Sequence, residues 1–180
     1  MSVNNTPQLI MYWENDGKNP TPYTLPQGVT IERFTERATA LTDWLETVHH
    51  GLTHEVRDEA YYKVCMLDHP GYDENLCFFL VKDGVAAATI TVICDYEKKE
   101  GYIHMVACKE QFRGLGYGNL LNEIAVEALK NEGMKTAYLT TDDWRIPAIK
   151  SYLKYGFTPD VSTDDFKERW DKIYDIINAK

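Results

Sequence analysis

The sequence predicts an α/β fold of the α+β kind, built on a mixed, largely antiparallel sheet flanked by helices. Three observations predict it. Runs rich in β-branched and aromatic residues recur at 29–34, 77–81, 85–94, 102–108 and 136–140. Between and after them lie segments whose apolar residues repeat at helical spacing. Two of the strand runs are joined by Asp83-Gly84, a hairpin signal, because a type I′ turn needs positive φ at both central positions.

The elements follow in order. Residues 1–28 are rich in Asn, Pro and Gly, apart from the apolar run Leu9-Ile10-Met11-Tyr12-Trp13, and read as an irregular extension with one short strand. After the strand at 29–34, Ala38, Leu41, Trp44, Leu45 and Val48 mark an amphipathic helix that Gly51 closes. A second helix is expected over 55–67, ending before Pro70-Gly71. The hairpin strands and the strand at 102–108 come next. A long helix follows, with Leu120, Leu121, Ile124, Ala125, Ala128 and Leu129 on one face and Gly133 beyond its end. The short strand at 136–140 precedes a helix with Pro147 in its first turn, where a missing N–H costs nothing, and Gly156 stops it. Phe166, Trp170, Ile173, Tyr174 and Ile177 define a C-terminal helix within 162–180, capped by Ser162 or Thr163.

A chain of 180 residues with 44% hydrophobic and 26% charged content reads as one soluble globular domain. No basic-then-apolar leader is visible at the start, and the longest apolar run, 85–94, is too short to span a bilayer. A cytoplasmic protein is therefore expected. The net charge of −9 disfavours nucleic acid and anionic membranes as partners and suits a cationic substrate such as an amine. None of the four cysteines forms a CxxC pair, and Cys77, Cys94 and Cys108 read as reduced core residues. His49, His50 and His54 suggest a metal only superficially: Gly51 interrupts their helix and no HExxH exists, so no metal is expected.

The segment Arg113-Gly114-Leu115-Gly116-Tyr117-Gly118-Asn119 lies between a strand and a helix. Glycines there let backbone N–H groups approach a ligand, and the helix start carries partial positive charge, which together suit a phosphate. A Walker A loop would need Lys-Ser or Lys-Thr after the glycines, and neither is present. A Rossmann GxGxxG counted from Gly114 would need Gly at position 119, where Asn119 stands, which argues against a nucleotide-dependent oxidoreductase.

Arg113, Gly116 and Gly118 fit the pattern [Q/R]xxGx[G/A]. Downstream, Ala148-Ile149-Lys150-Ser151-Tyr152-Leu153-Lys154-Tyr155-Gly156-Phe157 reads as AIxxYxKxGF, and upstream stands Ile103-His104-Met105-Val106-Ala107-Cys108. These three segments resemble, in order and spacing, those of the GNAT (GCN5-related N-acetyltransferase) superfamily. The resemblance implies a single GNAT domain over 1–180, with its acyl-CoA-binding core at 103–157 and splayed fourth and fifth strands. It implies acetyl-CoA as co-substrate, no metal, and transfer of acetyl to a primary amine on a small molecule or peptide through a tetrahedral intermediate. A non-catalytic acyl-CoA sensor is the alternative reading. Either a monomer or a homodimer is compatible.

By the same resemblance, the backbone of Val106, Ala107 and Cys108 holds the pantetheine and thioester, and an N–H there faces the oxyanion. Gly114, Leu115, Gly116, Tyr117, Gly118 and Asn119, with Arg113, wrap the pyrophosphate. Tyr152 takes the place of the family's tyrosine that protonates the leaving thiolate. Two departures stand out. Arg145 replaces an asparagine that often contacts the cofactor, and the acidic base of the fourth strand is missing, with Tyr102 or His104 in its region. His104 is the candidate base or water relay for a neutral attacking amine, with Asp142 as a weaker one. Trp44, Tyr61, Tyr62 and Trp170 are read as packing residues or as acceptor-pocket lining.

Overall fold

The computed structural model describes residues 6–179. Seven strands form one sheet: β1 (Leu9–Glu14), β2 (Val29–Arg33), β3 (Cys77–Lys82), β4 (Val85–Asp95), β5 (Glu100–Cys108), β6 (Thr136–Thr141) and β7 (Thr158–Pro159), in the order β2-β3-β4-β5-β6-β1-β7. Among the described residues five α-helices accompany them: α1 (Ala40–Val48), α2 (Glu59–Tyr62), α3 (Tyr117–Asn131), α4 (Ile146–Lys154) and α5 (Asp164–Asn178). Every pairing is antiparallel except β5 with β6. The β3–β4 hairpin turns at Asp83 and Gly84, with φ of 49° and 85°, the sign its turn requires.

The two faces of the sheet are covered unequally. One packs Leu9, Met11, Ile103 and Leu139 against Leu121 and Ile124 of α3, Ile149 of α4 and Trp170 of α5. The other packs Cys77, Phe79, Val81 and Ala107 against Trp44 and Val48 of α1 and Tyr62 beyond them. Trp44, Tyr62 and Trp170 are thus core residues, while Tyr61 is half-buried, tilted against Trp44 at 6.3 Å. The buried ammonium of Lys109 pairs with Glu46 at 2.8 Å and ties α1 to the end of β5. Among the described residues no helix is long and apolar enough to cross a membrane.

Two local expectations need correction. Gly51 does not close the first helix: the chain continues through a π-helical turn, His49–Thr53, and His54 ends it at φ 56°. The helix expected over 55–67 is shorter, because Asp58 caps it by accepting from the Tyr61 N–H, so α2 starts at Glu59 and then widens into a π-helical turn, Lys63–Leu67. The expected short N-terminal strand is present as β1, and it lies between β6 and β7, pairing with β6 along its whole length. At the other end Thr163, rather than Ser162, caps α5, accepting from the Phe166 N–H at 3.1 Å.

Candidate active site

Local strand geometry creates the site. Along β4 and β5, Thr91 faces His104 but Thr89 faces Ala107, so Met105 and Val106 together oppose Ile90. This is a bulge, and Met105 adopts φ 52°, an uncommon conformation for a residue with a side chain. A bulge bends its strand. The β5–β6 pairing accordingly runs only from Glu100↔Thr136 to Ile103↔Leu139, although β5 continues to Cys108 and β6 to Thr141. The two strands part beyond Ile103, leaving the β6-facing edge of Val106, Ala107 and Cys108 without a strand partner.

Gly51 lets the helical layer close over this point. A Cβ there would stand 2.7 Å from the Cys108 backbone nitrogen, so only glycine permits the π-helical turn to lie against β5. Below the parted strands the chain enters the glycine loop. Gly114 and Gly116 hold φ of 79° and 81°, and α3 starts at Tyr117. No acidic side chain occupies the first turn of α3, so nothing neutralises the positive end of this 15-residue helix. A Cβ on Gly114, Gly116 or Gly118 would meet nothing within 4 Å: the loop faces open space.

That space is a cavity of about 620 Å³, within the size range of ligand pockets. It runs from Val106, Ala107 and Cys108 past the glycine loop to α4, where Arg145 and Tyr152 form its wall. Arg113, Gly114, Gly116, Tyr117, Gly118 and Asn119 all line it. Leu115 does not; its side chain is 56% exposed at the loop's tip. The Tyr117 ring is buried and stacked on Phe112, leaving its backbone to face the cavity. The residues drawn together are a helix start with no acidic side chain in its first turn, a strand edge with free polar groups and a phenol. Such a set fits a long ligand with phosphates at one end and amides along its length.

A model of the acetyltransferase (GNAT) family matches residues 38–157. The chain belongs to that family. Mycothiol acetyltransferase of Streptomyces griseus is 26% identical over 137 residues, covering 74% of this chain and 44% of that protein. The chain thus spans less than half the length of this relative. Among solved structures, a GCN5-related N-acetyltransferase from Sphaerobacter thermophilus superposes with a TM-score of 0.71 at 18% identity, covering 86% of this chain and 50% of that one. The NatC complex bound to Gag peptide and CoA gives a TM-score of 0.61 at 18% identity, covering 73% of this chain and 86% of its own. At these identities the likeness is one of fold.

In this GNAT chain Tyr152 is 6% exposed and packs edge-on against Phe157 at 6.1 Å. Burial pushes its hydroxyl up to about 12, with Arg145 working weakly against the shift, so the phenol stays protonated near neutrality. Arg145 is folded back: its Nε donates to Asp142 at 2.8 Å, and its guanidinium lies 4.4 Å over the Trp144 ring. Asp142 also accepts from Gln8 at 3.0 Å, so it is held by two donors rather than aimed at a substrate amine. Burial likewise pushes the Cys108 thiol up to about 11, which leaves it an uncharged wall residue at the cavity, half-buried rather than in the core.

His104 lies apart from the cavity lining, half-buried on the α1–α2 side of β5. Its Nε2 lies 3.0 Å from the Cys65 carbonyl, which only accepts, so Nε2 carries the proton and Nδ1 is the free acceptor. Burial lowers its pKa to about 4, so it is neutral over the physiological range. It stands in a row of rings: Tyr102 at 5.0 Å, His69 at 5.6 Å, and Tyr138 stacked on Tyr102 at 4.7 Å. Tyr102, His104 and Tyr138 are half-buried, and Tyr12 of β1, 44% exposed, continues the row opposite Tyr138.

Several lining residues escaped the sequence reading. Gly51 has the sequence signature of a helix stop, yet it is the contact with β5. His54 and Trp144 reach the cavity from loops without a pattern of their own. Asn122 and Ser151 carried a signal: both are polar positions inside the apolar helical faces that pack α3 on α4. Among the described residues no group of three His, Cys, Asp or Glu is placed to hold a metal ion.

Proposed function

We propose that the chain is an N-acetyltransferase that passes acetyl from acetyl-CoA to a primary amine by direct attack. The observation that carries this reading is the continuity of the cavity from the glycine loop to the parted strands, with Tyr152 on its wall. In this reading the N–H groups of the glycine loop and the α3 start bind the pyrophosphate. The backbone edge of Val106, Ala107 and Cys108 aligns the pantetheine arm. One N–H of that edge stabilises the oxyanion as the amine nitrogen bonds the thioester carbon. The C–S bond then breaks, the thiolate takes a proton from Tyr152, and the amine's extra proton leaves through water or Nδ1 of His104.

The acceptor approaches from the opposite face, across the row of half-buried Tyr102 and Tyr138 and exposed Tyr12 beside the bulge. His104 joins that row to Met105, which makes it the ionisable group best placed between acceptor and thioester. Its low basicity suits a relay that passes a proton on rather than a store that keeps it. A small molecule or a peptide N-terminus both fit an open sheet face, and the cytoplasm is the proposed setting. The test is release of free thiol from acetyl-CoA in the presence of a panel of small amines and peptides. Amine-dependent release supports the reading. Tight coenzyme A binding with no turnover for any amine class would favour the sensor instead.

A further inference from the structure

Asn122 sits one helical turn beyond Gly118 on α3, 2% exposed, and forms part of the cavity wall. Its Nδ2 donates to Ser151 Oγ at 2.8 Å, and Ser151 Oγ donates onward to Asn119 Oδ1 at 2.8 Å. The serine hydroxyl has one proton, and it is spent on Asn119. Asn122 must therefore donate to Ser151, and its own carbonyl oxygen is left over: Oδ1 is buried without a partner. Buried polar atoms are almost always paired, so an orphan on a cavity wall is a binding feature in waiting. Reversing the whole chain of bonds leaves Nδ2 of Asn122 over at the same place. In either direction the carboxamide presents one unpaired polar atom.

We infer that Asn122, held by Ser151, is a subsite for an amide of the pantetheine arm, with Oδ1 accepting its N–H. The inference rests on the acyl-CoA reading given above. With Nδ2 bonded to Ser151 the free atom is a carbonyl oxygen, which does not bind phosphate, since phosphate near neutrality offers mainly acceptors; the partner is then a donor group of the ligand. Ser151 directly precedes Tyr152 on α4 and also bonds Asn119 at the end of the glycine loop, which places the Asn122 carboxamide between the loop and the Tyr152 end of the cavity. The pantetheine arm is the part of acyl-CoA that lies between those ends, and its secondary amides carry both an N–H and a C=O. They match the Asn122 edge in either orientation.

Calorimetric titration with three probes tests this: coenzyme A, 4′-phosphopantetheine and adenosine 3′,5′-bisphosphate. Asn122→Leu keeps the volume and removes the carbonyl; it should weaken the first two by roughly tenfold, the worth of one hydrogen bond, and leave the third unchanged. Ser151→Ala, which frees the Asn122 side chain without touching its oxygen, should shift the same two probes by less. Should circular dichroism show the Leu variant unfolded, Ser151→Ala decides alone. Unaltered coenzyme A affinity in the folded variants overturns the subsite, as does a loss shared equally by the bisphosphate. Wild-type protein that binds no coenzyme A overturns the donor reading itself, a result distinct from wild-type binding that the variants leave intact.

Discussion

Arg169 of α5 bonds both carboxylate oxygens of Asp143, with Nε donating to Oδ2 at 2.9 Å and Nη2 to Oδ1. The same guanidinium donates to the Pro7 carbonyl at 2.9 Å and to Asp165 at 3.2 Å, and Arg169 is only 9% exposed. Asp143 belongs to the loop that carries Trp144 and Arg145 into the cavity. Pro7 and α5 both lie outside residues 38–157 matched by the family model, so segments flanking the matched region on both sides grip the loop at the cavity wall.

Removing this grip should loosen the cavity wall before it unfolds the domain. Arg169→Ala is expected to raise KM for acetyl-CoA with little change in kcat. It should also cost about 1–3 kcal/mol of stability, the scale of a charge-assisted hydrogen bond. Arg169 holds the Asp143 carboxyl below the usual aspartate range. A folded pKa below the unfolded one means stability that is complete above the unfolded value, about 3.9, and is lost as pH falls through the folded one. Urea midpoints measured between neutrality and strong acid should show that loss in the wild type, and Asp143→Asn should lack this component. Parallel pH curves for the two proteins would remove the Asp143 pair from the account.

Gly118 separates binding from folding more cleanly than its neighbours. It lies inside the first turn of α3 with ordinary helical backbone, and a Cβ there meets only open space. Alanine is the better helix former by roughly 0.8–1 kcal/mol, so Gly118→Ala should hold or raise Tm. The added methyl occupies the cavity, so coenzyme A affinity should fall. Gly116, at φ 81°, is different: a side chain there is strained whatever the space, so Gly116→Val should lose both affinity and stability. Calorimetry and thermal melts on both variants check the contrast. Undiminished coenzyme A binding by Gly118→Ala would take the phosphate away from this loop.

The fold was legible wherever a local signal and its tertiary use coincide. Asp83-Gly84, Gly133 and Thr163 act through their own backbone or cap, and the structure uses them so. The glycine loop was legible because its backbone stands open to the cavity, which glycine spacing encodes directly. The place of β1 was not, since its run of apolar residues says strand and nothing about a seat between β6 and β7. Gly51 misled for the same reason: its purpose is a contact with Cys108, distant in sequence, and only the assembled sheet reveals it. The Arg169–Asp143 pair joins positions 26 apart on two exteriors that look merely charged.

His104 carries a pH signature that separates its two roles. Its folded pKa of about 4 lies below the reference of 6.5. Between those values the unfolded chain binds the extra proton, so stability is complete above about pH 6.5 and declines as pH falls toward 4. His104→Gln should flatten that window in denaturation experiments whatever the catalytic role. If His104 relays the proton, kcat/KM of the wild type should show its acid limb near pH 4, well under the ordinary histidine range, and the Gln variant should lose it. A limb that persists in His104→Gln, with the stability window gone, makes His104 a packing residue only.

Tyr152 is the sharpest test of the chemistry. Burial holds its pKa near 12, so the phenol is a proton donor at every pH where the protein is assayed and adds no limb below about pH 10. A thiolate, with a pKa near that of cysteine at about 8.5, is a fair leaving group, so the donor matters less than it would for an alkoxide. General acid catalysis contributes about 10²- to 10⁴-fold, and the low end applies here. Tyr152→Phe keeps the ring and its edge contact with Phe157 and deletes only the hydroxyl. The expected result is a fall in kcat of roughly 10²-fold, about 2.7 kcal/mol, with little change in KM for acetyl-CoA, because the proposed phosphate site is the glycine loop, remote from the hydroxyl. Steady-state kinetics with a thiol-detecting assay measures both constants, after circular dichroism establishes that the variant is folded. A Phe variant that keeps near-full kcat while the chemical step limits the rate would mean that the thiolate departs unaided or takes its proton from water.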